Sequence, residues 1–252
     1  AIVGNIILQA TDTITISDAV SLTTQGESFT AQAGGLLDVD ANITTNQGAI
    51  HLEADSPHTG TGTAGDDSGT LDIAAGVTIS SGGGDITLIA ADYTVDATSS
   101  VNSGGGAIDV STSTVKALNL GSAAGAILDN TELNRLNAGG GTIKLGEATT
   151  AGTDGAGTGS STITSASIVI DDVSLGAGTN LTLSSGGTIN DVDDAGDAVA
   201  FTGGTLTLTT DGAGDDIGDL SNFDTAVENL AIDVNGAGTD FNIDNTGTTL
   251  QS

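Results

Sequence analysis

Gly82-Gly83-Gly84-Asp85-Ile86-Thr87-Leu88-Ile89-Ala90 joins a glycine turn to a run in which apolar and polar residues alternate. Alternation with period two marks a β-strand with one buried face. The unit recurs as Gly4-Asn5-Ile6-Ile7-Leu8, Gly48-Ala49-Ile50-His51-Leu52 and Gly106-Ala107-Ile108-Asp109-Val110. Further versions are Gly141-Thr142-Ile143-Lys144-Leu145, Thr179-Asn180-Leu181-Thr182-Leu183 and Gly204-Thr205-Leu206-Thr207-Leu208. Their leading apolar residues stand 44, 36, 22, 35, 38 and 25 positions apart. Several of these separations lie near one or two multiples of about 20 residues, the size of one coil in many solenoids. Shorter strand candidates at 13–17, 37–40, 71–74, 77–80, 93–95 and 167–170 fit between them. The expectation is an all-β, single-stranded parallel β-helix of roughly 11–12 coils, about 50–60 Å long at ~4.8 Å per coil. Right-handed winding is expected from the general preference of parallel crossovers.

Composition supports a thin, ordered core. The 252 residues include 39 Gly, 1 Pro, four Phe, one Tyr and no Trp, yet 37% are hydrophobic and evenly spaced. Few helix formers are present, so long helices are not expected. Loops at 55–69, which holds Pro57, and at 151–161 read as insertions into one domain spanning 1–252. The formal net charge is −30, from 33 acidic and 3 basic side chains. Such a surface repels phosphates and anionic lipid, which argues against nucleic acid and membrane partners. No stretch approaches the ~20 apolar residues that span a bilayer. The absence of cysteine excludes disulfides and thiolate chemistry. No signal peptide is visible, and the start at Ala1 reads as a processed product or an excerpt.

Two stretches carry a family resemblance. The run from Asn130-Thr131-Glu132-Leu133-Asn134-Arg135-Leu136 through Gly139-Gly140-Gly141 to Gly146 resembles a phrase of bacterial haemagglutinin-type surface adhesins. Thr225-Ala226-Val227-Glu228-Asn229-Leu230-Ala231, followed by Asp240-Phe241-Asn242-Ile243-Asp244-Asn245, is similar to another. The resemblance implies an exported parallel β-helix at the cell surface, used in adhesion, coating or fibre formation. The resemblance also implies a secretion domain at the N-terminus, and no such domain is expected within residues 1–252.

Catalysis is not expected. A β-helical lyase generally needs clustered basic groups, and Lys116, Lys144, Arg135, His51 and His58 are scattered in sequence. A hydrolase needs two carboxylates at a set separation, which 33 acids supply by chance. His51 reads as a surface residue, and Asn102, Asn119, Asn134 and Asn180 as candidates for stacks at corners. Calcium is the better chemical expectation, because glycine-containing acidic turns supply its six to eight oxygen ligands compactly. The candidate ligands are Asp191, Asp193, Asp194 and Asp197, then Asp211, Asp215 and Asp216, then Asp240. Each loop also reads as a plain solvated corner.

The ends carry the functional expectation. Solenoids usually blunt their terminal coils with a cap. Here Ile2, Val3, Ile6 and Leu8 stand near one end, and Phe241, Ile243 and Leu250 near the other. Uncapped ends favour addition of further copies head to tail. The expected role is therefore a structural subunit of an extracellular or cell-surface filament whose main partner is itself. A segment of a larger adhesin binding host, matrix or glycan ligands is the alternative, and a polysaccharide-active enzyme the third.

Overall fold

The computed structural model describes residues 4–56, 67–149, 162–192, 198–210, 216–218, 223–234 and 240–246. The chain winds as a parallel β-solenoid. The first coil is β1 (Ile6–Ala10), β2 (Ile14–Ile16) and β3 (Val20–Gln25), and the second β4 (Phe29–Ala33), β5 (Leu37–Val39) and β6 (Ile43–Asn46). The third is β7 (Ile50–Glu53), β8 (Thr70–Ile73) and β9 (Thr78–Ser80), and the fourth β10 (Ile86–Ala90), β11 (Asp92–Val95) and β12 (Ser100–Asn102). β13 (Ile108–Thr112), β14 (Ala117–Gly121), the short helix α1 (Asn130–Leu133) and β15 (Leu136–Asn137) make the fifth. The sixth holds β16 (Thr142–Leu145), β17 (Glu147–Thr149), β18 (Thr162–Thr164), β19 (Ser167–Asp171) and β20 (Val173–Ser174). β21 (Asn180–Ser185), β22 (Ile189–Asp191) and β23 (Val199–Ala200) follow, then β24 (Leu206–Thr210) with β25 (Phe223–Ala226), and last β26 (Leu230–Val234) with β27 (Ile243–Asn245).

One face is continuous. Its nine strands run β1-β4-β7-β10-β13-β16-β21-β24-β26, all parallel, so the described residues form nine coils. The register stacks Ile6, Phe29, Ile50, Ile86, Ile108, Ile143, Leu181, Leu206 and Leu230 in a single inward column. A second inward column two residues on runs from Leu8 through Leu52, Leu88 and Leu145 to Ile232. The expected leading residues thus fall in one column, joined by Phe29 and Leu230. The expected 11–12 coils are too many. Separations of 36, 35 and 38 are single coils enlarged by insertions, not pairs of coils. Nine coils span roughly 40 Å.

Backbone contact at the corner explains the glycine runs. A Cβ on Gly84 would sit 2.5 Å from Gly48 O, one on Gly106 2.3 Å from Gly84 O, and one on Gly141 2.2 Å from Gly106 O. Only glycine lets successive turns approach this closely. The hydroxyls just before these turns add a ladder of their own. Ser103 Oγ donates to Gly106 O at 2.6 Å and lies 3.3 Å from Ala138 O, and Ser81 and Thr45 repeat the pattern one and two coils earlier.

The other faces break at the fifth coil. β3-β6-β9-β12-β15 form one sheet and β20-β23-β25-β27 another, with no pairing between β15 and β20. Helix α1 accounts for the break. Asp129 caps it, accepting the Glu132 N–H at 2.9 Å while Glu132 accepts the Asp129 N–H at 2.8 Å. Its asparagines then substitute for a missing strand. Asn130 donates to Asp172 O at 2.9 Å and accepts Ser174 N–H at 3.3 Å, and Asn134 donates to Ser174 O at 2.9 Å. The edge of β20 is thereby satisfied by side chains.

Both inserted loops leave the coil at the same corner, after a strand of the nine-stranded face. The first separates β7 from β8, and its residues 57–66 lie outside those described. The second, expected at 151–161, lies wholly outside them, but the strands flanking it, β17 and β18, pair antiparallel as a hairpin.

Candidate functional site: the end strands and the outer face

In a solenoid each inward side chain is covered by the coil above and the coil below. Ile50, Ile86 and Ile108 in the middle of the column are accordingly fully buried. Among the described residues the end strands have a neighbour on one side only, since β1 pairs with β4 and β26 with β24. Leu8 therefore remains 37% exposed and Ile232 38%, although both occupy inward columns. Ile6 and Leu230 are half-buried. Phe241, last in the column Ile189, Ile217, Phe241, is 63% exposed, and Ile243 beside it is half-buried. Ile2, Val3 and Leu250 lie outside the described residues. Neither end strand carries a lysine, a proline or a bulge, the usual protections of a sheet edge.

The expected acidic ligands are differently placed. Asp191 ends β22 in an inward column below Ile170 and is buried. Asp216 and Asp240 do come together on consecutive coils, where Asp216 Oδ1 accepts the Asp240 N–H at 2.8 Å. Asp193, Asp194, Asp197, Asp211 and Asp215 lie outside the described residues. Among the described residues no group of three His, Asp or Glu side chains is placed to hold a metal ion.

A polar column on the outer face was not anticipated. Gln9 donates to Gln32 at 2.8 Å, Gln32 donates to Glu53 Oε2 at 3.0 Å, and His51 Nε2 lies 3.0 Å from the same oxygen. Glu53 is fully buried, and its Oε1 has no hydrogen-bond partner among the described residues. His51 is only 12% exposed, so the surface role expected for it is corrected: its ring is held against a buried carboxylate. Next in this column come Ile89 and Ser111, outward by register yet buried, where the β17–β18 hairpin packs across β10 and β13. The signal was present in the sequence. Gln9, Gln32 and Glu53 each stand three residues after a leading apolar residue, but Phe29 has Glu27 in place of the glycine that marks most of the others.

The cations are tied to the scaffold. Lys116 Nζ donates to Ala91 O at 2.9 Å and stands 3.6 Å from Asp67. Lys144 Nζ lies 3.9 Å from Asp109, whose carboxyl is raised above its ordinary range by burial, against the pull of Lys144. Arg135 Nη1 donates to Ala97 O at 2.7 Å. The four asparagines expected to stack do not do so together. Asn102 pairs instead with Asn137, each accepting a glycine N–H two residues on, from Gly104 and Gly139, at 2.9 Å.

Comparison of the chain with protein-family models, with curated proteins and with solved structures finds no match.

Proposed function

We propose that this chain is a structural subunit of an extracellular or cell-surface fibre, growing by end-to-end continuation of its β-solenoid. One observation carries the reading: Leu8 and Ile232 occupy core columns yet are exposed, on the two opposite edge strands of one sheet. A second copy placed in register sets Ile6 and Leu8 against Leu230 and Ile232, continuing both inward columns. Burying such side chains gains ~25 cal/mol per Å² of apolar surface. The contact is heterologous, joining one edge to the opposite one, so it propagates instead of closing. The likeness of 130–146, 225–231 and 240–245 to surface adhesins supports the extracellular setting. A second reading, a segment of a larger adhesin, draws on the β17–β18 hairpin, which decorates the outer face at β10 and β13.

Electron microscopy and sedimentation of the purified chain over a range of concentrations test the proposal. Wild type should form fibres, whereas Leu8→Asp and Ile232→Asp should each remain as single particles. Mixing the two variants should give dimers only, because each blocks a different end. Wild type that stays as single rods at every concentration overturns the fibre reading and favours the adhesin segment.

A further inference from the structure

The break between β15 and β20 leaves a cleft of 320 Å³, bounded by the glycine turns at 139–141 and 176–178. Elsewhere on this face a glycine of one turn meets the turn before it, as a Cβ on Gly104 would lie 3.2 Å from Gly83 N and one on Gly139 3.1 Å from Gly105 N, but a Cβ on Gly176 or Gly178 would meet nothing within 4 Å. The cleft is therefore the gap left where the corner stack parts. Its lining contains no charged side chain, in a chain with 33 acidic residues. The floor is apolar, with Leu133 and Leu136 buried and Leu175 half-buried.

Three amides stand around that floor, each anchored at one end. Asn137 Oδ1 accepts the Gly139 N–H at 2.9 Å, Asn134 Nδ2 donates to Ser174 O at 2.9 Å, and Asn180 Nδ2 lies 3.4 Å from Gly141 O. Asn137 Nδ2, Asn134 Oδ1 and Asn180 Oδ1 are left without partners among the described residues, one donor and two acceptors.

We propose that this cleft is a binding site for a neutral saccharide. Sugar hydroxyls both donate and accept, which suits a ring of amides, and the C–H face of a pyranose suits a leucine floor. A neutral lining offers nothing to an ionic ligand, while the surrounding negative field repels acidic sugars. The volume lies at the lower end of the ~300–1,000 Å³ typical of ligand sites. An extended peptide is less suited, because the edge of β20 is already occupied by Asn130 and Asn134. The site is independent of the end-to-end contact.

Saturation-transfer difference NMR on the full chain tests it, with maltotriose, cellotriose, lactose and diacetylchitobiose as probes. Galacturonate trimers and an uncharged extended peptide serve as comparators. At least one neutral sugar should receive saturation. Asn137→Asp keeps the acceptor for Gly139 and removes the free donor, so it should weaken that signal about tenfold, the effect of ~1.4 kcal/mol. Gly178→Asn, at a φ of +80 that asparagine tolerates with modest strain, puts a side chain at the rim and should weaken it similarly while lowering the melting temperature by no more than a few degrees. The proposal is overturned if no neutral sugar responds at about 10 mM, tenfold above a Kd of 1 mM. Signals unchanged in both variants, or a preference for the acidic sugar or the peptide, overturn it equally.

Discussion

Single atoms decide several positions in this chain, and two predictions belong at that scale. A methyl added at Gly106 would lie 2.3 Å from the Gly84 carbonyl, and neither backbone can yield without parting two coils. Gly106→Ala should therefore cost at least ~3 kcal/mol, in the range of severe core disruptions. At Gly76, with φ +74, a Cβ meets nothing, so Gly76→Asn should change stability by less than about 1 kcal/mol, since asparagine tolerates that conformation. Urea titration of both variants checks the contrast, and equal losses would contradict the stacked-corner account. The carboxylates supply the other prediction. Burial raises Asp38, Asp109 and Glu132, with Asp40 and Asp72 adding to the effect at Asp38. For these groups the folded state binds protons more readily than the unfolded chain. Stability therefore rises as pH falls through the raised values toward the ordinary 3.8 to 4.5, and levels off below. Asp96 is lowered by its hydrogen bonds from Thr98, and its contribution is lost only as pH drops below the ordinary 3.8. The melting temperature should climb as pH falls from 7 toward the ordinary 4.5, helped by falling self-repulsion. A decline over that interval would contradict the assignment.

Secondary elements show what a single sequence displays and what it conceals. The strand expected at 37–40 is β5 (Leu37–Val39), and that at 77–80 is β9 (Thr78–Ser80), because alternation and flanking glycine are local signals. Phe29 and Leu230 lack the local mark, since Glu27 and Glu228 stand two residues ahead of them where most of the other units have a glycine. Insertions defeated the coil count for a related reason: nothing local distinguishes one long coil from two short ones. Asn130 and Asn134 were legible as part of a motif, but their work as a surrogate strand depends on β20, some 40 residues later. Of the candidate site, the apolar end residues were readable from periodicity, whereas the cleft exists only because sheets separate in space. The asparagine account is testable at this scale. Asn130→Ala removes the acceptor for the Ser174 N–H, so exchange of that amide should accelerate by about tenfold or more, for a bond worth ~1–1.5 kcal/mol. Amides of β12, which pairs away from the break, should keep their protection. Uniform acceleration across both strands would mean that the helix supports the whole stack and not one edge.

For the molecule as a whole, charge and the open ends act against each other. Each copy carries a formal net charge of −30, and stacked copies would sit centre to centre roughly 40 Å apart, nine coils at ~4.8 Å. At 0.01 M salt the Debye length is ~30 Å, so neighbouring subunits repel along most of their length. At 0.1 M it falls to ~10 Å, and repulsion is then confined to side chains at the joint itself. The apolar contact of Leu8 and Ile6 with Ile232 and Leu230 is insensitive to salt over this range. Fibre formation should therefore have a critical concentration that falls steeply between 0.01 and about 0.2 M NaCl and then flattens. Light scattering against protein concentration at several ionic strengths measures it directly. Calcium enters as a controlled comparison. If the acidic turns near Asp216 and Asp240 bind it at the joint, 1 mM Ca²⁺ should lower the critical concentration more than NaCl of equal ionic strength. EDTA should then reverse that difference. Equal effects at equal ionic strength would reduce calcium to a screening ion. A critical concentration indifferent to salt would contradict end-to-end assembly between such acidic subunits.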